Sequence, residues 1–251
     1  YYLDHVLWIR KTKGLRGKLA QFLRSSELMG GNPQDAEALI WGLNSFFPWV
    51  RRRAMNDLIK NDSLGVKTIF TALDLPYYKS WIKYFVITQD EFADVFSNFI
   101  GEIHPVLVGG LATIGHSSIE RIKDGLQHPN INVRLSVIEA LGRTGDSAAA
   151  EILIPILDSS EIDERIGAIN AVGELRAKSA TEKVMNALKD ENPVVRDRAV
   201  RSLIKINDIS ALPALELVRS DNTVIEAHTS RTLGDLADWA ITEIGKTIQS
   251  K

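Results

Sequence analysis

The sequence predicts an all-α protein, a right-handed α-solenoid of about seven antiparallel helix pairs. Three observations lead there. First, "VRLSVIEALGRTGD" (133–146) is followed at intervals of 31 residues by "ERIGAINAVGELRA" and "VRDRAVRSLIKIND", which sets Arg134, Arg165 and Arg196 at one place in the unit. Second, each unit holds two apolar-periodic segments of about ten to fourteen residues, as two amphipathic helices would. Val195, Ala199, Val200 and Leu203 show that spacing in the third copy. Third, "HPN", "DSS", "DENP" and "SDN" separate the segments, and their Asp, Ser, Asn and Pro stop one helix and cap the next. A single pair cannot cover its own apolar face, so the stack is the folding unit.

Along the chain, residues 1–33 read as a basic leader or capping helix. "YYLDHVLWIRKTKGLRGK" sets Tyr1, Tyr2 and Trp8 ahead of Arg10, Lys11 and Lys13, the order seen at the cytoplasmic end of a membrane helix. One expectation is therefore a cytoplasmic chain tethered to a membrane face, with residues 1–24 near the lipid; the other is a plain amphipathic cap. No apolar run reaches the roughly 20 residues of a spanning helix. Residues 34–116 read as divergent, aromatic-rich repeats: "WVRRRAMNDLIKNDSLGVKTIFTALD" (49–74) repeats the arginine helix and adds a second one. Residues 117–251 hold the regular repeats and a C-terminal cap helix, all in one continuous solenoid. Here Leu126, Leu157, Leu188 and Val218 align, as do Leu141, Val172, Leu203 and Leu233, and Ala149, Ala180 and Ala211. The fourth copy, "LVRSDNTVIEAHTSRTLGDLADWAITEI", is one residue shorter and carries Glu226 where the arginine should be.

Charge is uneven. Residues 1–60 hold 10 Lys/Arg against 5 Asp/Glu, and residues 61–251 hold 20 against 27. The acidic main body disfavours a phosphate-binding groove, so nucleic acid is not an expected partner. With no cysteine in the chain, disulfides and thiolate chemistry are excluded.

The elements "HPNINVRLSVIEALGRTGD" and "DENPVVRDRAVRSLIKIND" resemble the HEAT family, in the short form also found in phycobilisome lyase subunits. The resemblance implies the helix-pair solenoid, with the arginine-bearing helices lining a concave face that commonly binds partner proteins. It transmits no activity by itself. A related hydroxylase type binds iron through His-Glu pairs. The five histidines here precede Val6, Pro105, Ser117, Pro129 and Thr229, so that motif is missing, and no two histidines have helical metal-ligand spacing. No phosphate-binding glycine loop or nucleophile elbow occurs. No catalytic residue, metal or cofactor is assigned.

The expected function is a non-catalytic scaffold, monomeric, that binds a protein or peptide. The alternative is an accessory, phycobilin-lyase-like subunit of an enzyme complex. Between the core positions of the arginine helices, three outward columns are expected: Ser136, Gly167, Arg198 and His228; Glu139, Asn170, Arg201 and Arg231; Arg143, Glu174, Lys205 and Asp235. They turn basic at Arg198, Arg201, Lys205 and Arg231, which suits an acidic partner. Phe46, Phe47, Tyr77 and Tyr78, at inter-helix turns among clustered rings and cations, form a second candidate surface. The recurring arginine itself is expected to be structural. Arg51, Arg134, Arg165 and Arg196, with the turn residues Asp158 and Asp190, should form a ladder that ties each helix to turn carboxylates or carbonyls.

Overall fold

The computed structural model describes residues 48–60, 62–74, 106–115, 119–226 and 230–249. The chain divides between Ile114 and Gly115 into two compact units.

In the first unit, α1 (Pro48–Lys60) begins on a proline and α2 (Asp62–Asp74) follows directly. Residues 106–115 form α3. Ala54, Met55 and Leu58 of α1, Ile69 and Leu73 of α2, and Leu107, Val108 and Leu111 of α3 are buried. This is the helical spacing the sequence shows, expressed as a core. Arg51 is buried on α1, 2% exposed.

In the second unit, 3-10 turns at Ile119–Arg121 and Lys123–Gln127 precede α4 (Ile131–Arg143). Then come α5 (Ala148–Leu153), which runs on as a 3-10 turn over Ile154–Asp158, and α6 (Ile162–Glu174). Next are α7 (Thr181–Ala187), α8 (Pro193–Ile206) and α9 (Leu212–Val218). The arginine helices α4, α6 and α8 stand side by side with α6 in the middle, and the shorter first helices form the other layer. Leu157, Leu188 and Val218 are buried between the layers, as are Leu141, Val172 and Leu203, and Ala149, Ala180 and Ala211.

Local chemistry sets the helix ends. Asn130 and Asn192 cap α4 and α8, accepting from the amides of Asn132 at 2.9 Å and Val194 at 2.8 Å, and Pro193 opens α8 where no amide donor is needed. At the C-termini, Gly145, Arg176 and Asn207 recur at the same interval and all three have left-handed backbones, with φ of 71°, 51° and 55°. After α6 the Ala177 amide donates to Val172 O and the Arg176 amide to Gly173 O, both at 3.0 Å, which is the Schellman closure of a helix. Between helices, Gly173 faces Ser202 so closely that a Cβ would lie 2.7 Å from its hydroxyl. Ser202 in turn donates to Ile169 O at 2.8 Å.

The fourth copy departs from the repeat. In place of an in-register second helix, β1 (Val224–Glu226) and β2 (Arg231–Thr232) pair as an antiparallel hairpin. Helix α10 (Leu233–Gln249) starts only then. The β-branched residues Thr223, Val224, Ile225 and Thr232 disfavour helix in this stretch. The hairpin is closed by the Leu233 amide on Thr223 O and the Gly234 amide on Asp221 O, both 2.9 Å. Leu233 is nevertheless buried like its counterparts, and α10 covers the ends of α8 and α9 with Leu236, Ala237, Ala240 and Ile244.

Candidate partner-binding face

The recurring arginine joins each repeat to the next. Arg165 donates from Nη1 to the carbonyls of Ser159 and Ser160 in its own turn, at 2.8 and 3.3 Å. Its Nε and Nη2 reach forward to both oxygens of Asp190, at 2.9 and 3.3 Å. Arg196 repeats the arrangement, with the carbonyls of Asp190 and Glu191 behind it and Asp221 and Thr223 ahead. Arg134 binds the carbonyls of His128 and Pro129, and its forward partner is Glu164. A planar guanidinium with five donors satisfies two carbonyls and a carboxylate at once, which an ammonium does not match.

One register position holds Ser159, Asp190 and Asp221, with His128 before them, and its two aspartates are forward acceptors. Each of the four accepts from the amide two residues on, at 3.2, 2.8 and 2.9 Å for the first three and 3.2 Å for His128. Where that place holds Ser159, its hydroxyl donates to Glu164 at 2.6 Å, and Glu164 supplies the missing charge. Asp158 is therefore not in this row. It stands one position off register and binds Lys183 Nζ at 2.6 Å instead. Partial burial pushes the Glu164 carboxyl up, but the hydrogen bonds from Ser159 and Arg134 and the Arg134 charge outweigh it, and its pKa lies below the ordinary value. Asp221 also lies low, chiefly through its hydrogen bonds from Thr223 and then the charge of Arg196.

With the arginines turned inward, the outward positions of α4, α6 and α8 make the candidate face. Arg198 and Arg201 flank Asp197, which is 8% exposed. Arg201 Nε donates to both its oxygens, at 2.9 and 3.1 Å, while Arg198 Nε stays 3.9 Å away. Lys205 pairs with Glu174 across the α6–α8 joint at 2.6 Å, and Arg143 pairs with Glu139 on α4. Two expectations need correction. Ser136 is buried, bonded to Asn132 O. Arg231 is on β2, not on a helix beside Arg201, because the hairpin breaks the register; it lies over the Trp239 ring at 5.9 Å. Asp235 caps the start of α10, accepting from the Thr232 amide at 2.8 Å. Phe46, Phe47, Tyr77, Tyr78 and His228 lie outside the described residues. Asp197 was not singled out by sequence, since its aspartate looks like one more surface charge until α6 packs beside it. Among the described residues, no group of His, Asp or Glu is disposed to hold a metal, and no helix is long and apolar enough to cross a membrane.

Known proteins place this architecture. The HEAT-repeat family model matches residues 106–165 and 150–234. The uncharacterized phycocyanin operon protein Z of Pseudanabaena tenuis is 29% identical over 89 residues, which are 36% of this chain and 44% of that protein. The chain thus spans less than half the length of that relative. Among solved structures, two engineered proteins are similar at 17% and 15% identity, with TM-scores of 0.44 and 0.46; 85% and 91% of this chain and 97% and 68% of theirs are covered. A designed armadillo repeat protein is 14% identical, with a TM-score of 0.40 over 84% of this chain and 99% of its own. With its family model spanning half of the sequence and the arginine helices stacked in register, the chain belongs to the HEAT-repeat family.

Proposed function

We propose that the chain is a non-catalytic scaffold that holds a protein or peptide partner on the outward face of α6 and α8. The observation that supports this is a division of labour. The recurring arginines are spent on the joints between repeats, so the positions that differ between copies are presented at fixed spacing. Among these, Arg198 is held, among the described residues, only by a long ion pair to Asp197 at 3.9 Å, and its side chain is 43% exposed. An exposed guanidinium so weakly tied can form a charge-assisted, bidentate pair with a carboxylate on a partner. Arg201 and Lys205 extend the site, and the rings of Phe46, Phe47, Tyr77 and Tyr78 are the second candidate surface. Affinity capture with the purified chain, read by quantitative mass spectrometry, tests the reading. A polypeptide held by the native chain and lost by Arg198→Glu, at unchanged circular dichroism, supports it; a capture profile indifferent to Arg198→Glu refutes it.

The second reading, an accessory subunit of phycobilin-lyase type, draws on the phycocyanin operon relative. It predicts that the purified chain mixed with a free linear tetrapyrrole shifts the visible absorption of the pigment; an unshifted spectrum ends it.

A further inference from the structure

A groove of about 370 Å³ opens between α7 and α9, on the layer opposite the arginine helices. Met185, Leu188, Ala214, Leu217 and Val218 supply its apolar walls, and Lys189 stands at its rim. Leu217 is 75% exposed, the highest value among the large apolar residues described. Scattered apolar exposure is ordinary, but here the register gives a reason for the opening. One repeat earlier, Asp158 and Lys183 bridge the neighbouring first helices at 2.6 Å. The same two positions one unit on are Lys189 and Ala214. The acid has become a cation, and its partner has been cut back to a methyl group. The tie that closes the preceding joint is thus absent, and Lys189 makes no ion pair within the described residues. The groove's own carboxylate, Asp221, is already taken by Arg196 and by the Thr223 amide.

We infer that this groove is a second docking site, and that its occupant is a segment of a partner protein carrying an apolar side chain next to a carboxylate. The apolar side chain fills the space between Met185 and Leu217, and the carboxylate takes the place at Lys189 that an acid holds in the joint before. Its size is in the range of sites that enclose a side chain or small ligand. The inference shares the scaffold reading but not its surface, since Arg198 and Lys189 lie on opposite layers, and variants separate the two.

Three series of capped decapeptides, alternating leucine with glutamate, with glutamine or with lysine, are titrated against the full chain by fluorescence anisotropy. The glutamate series binds best. Lys189→Glu reverses the ranking of the glutamate and lysine series. Leu217→Ser weakens both about tenfold, as removal of one apolar anchor does. Ala214→Glu lets residue 214 pair with Lys189, closing the groove and abolishing binding while the melting temperature holds or rises. Arg198→Glu leaves all three series unchanged. A ranking unaffected by Lys189→Glu, or no binding of any series to the native chain, overturns the inference.

Discussion

At the scale of single residues, one guanidinium does two jobs. Arg165 closes its own turn through two carbonyls and grips the aspartate of the following repeat. Its side chain is only 18% exposed and that of Asp190 13%, so screening by solvent is modest. Replacement strands an aspartate and two carbonyls together. Arg165→Ala should therefore cost about 2 kcal/mol and lower the melting temperature by about 5 °C, measured by thermal denaturation. Affinity for a captured partner, per folded molecule, should stay unchanged; the opposite pattern would return this arginine to the binding surface. The inward role was legible in the sequence, because an arginine that recurs while its neighbours vary serves the repeat. The acceptor was harder to see. The interval of 31 residues leads back from Asp221 and Asp190 to Ser159, not to Asp158, and only the fold shows that Glu164 supplies the charge Ser159 lacks.

At the scale of elements, the helix C-termini offer a controlled comparison. Gly145 and Arg176 occupy equivalent left-handed positions after α4 and α6. A Cβ at Gly145 would meet no atom within 4 Å, so the only penalty for a side chain there is conformational. Gly145→Ala should destabilise, and Arg176→Gly should stabilise, each by about 0.5–1 kcal/mol. Chemical denaturation of the two variants checks the paired signs; a loss on Arg176→Gly would mean that its side chain makes a contact worth more than the strain. The caps and the apolar columns were legible because they depend on neighbours within a few residues. The hairpin of the fourth copy was not. Its residues fit the repeat alignment, and Leu233 even keeps its buried place, but β-branched residues and closure onto Thr223 and Asp221 outweigh the period.

At the scale of the molecule, the ties between repeats make stability depend on ionised carboxyls. Glu164, Asp208, Asp221 and Asp235 all have pKa values below the ordinary 4.5 of Glu or 3.8 of Asp. Partial burial raises Glu164, and Ser159 and Arg134 more than offset this; hydrogen bonds from Ser210, Thr223 and Thr232 lead for the three aspartates. On acidification the unfolded chain takes up these protons first, near the ordinary values, and the folded chain only at lower pH. The stability they contribute is thus fully present above about pH 5–6 and is lost as pH falls through the folded values. Denaturation midpoints of the native chain should fall steadily below about pH 4.5, with a shallower slope in Glu164→Gln. A midpoint that holds or rises on acidification would contradict the ladder as drawn.

By itself the sequence determined the helix pairs, their period, the buried columns and the inward service of the arginine. These follow from spacing and local chemistry, which a repeat states several times over. The tertiary structure alone decided which carboxylate meets which arginine and that Arg231 leaves the helical row for a hairpin beside Trp239. It also decided that the joint between α7 and α9 stands open at Lys189 and Ala214. The ties and the open joint depend on residues 25 to 30 positions apart meeting across a joint, and the hairpin on a closure that the repeat alignment conceals. A difference between copies reads as ordinary variation along the chain, and it becomes a bond or a gap only when the copies are stacked.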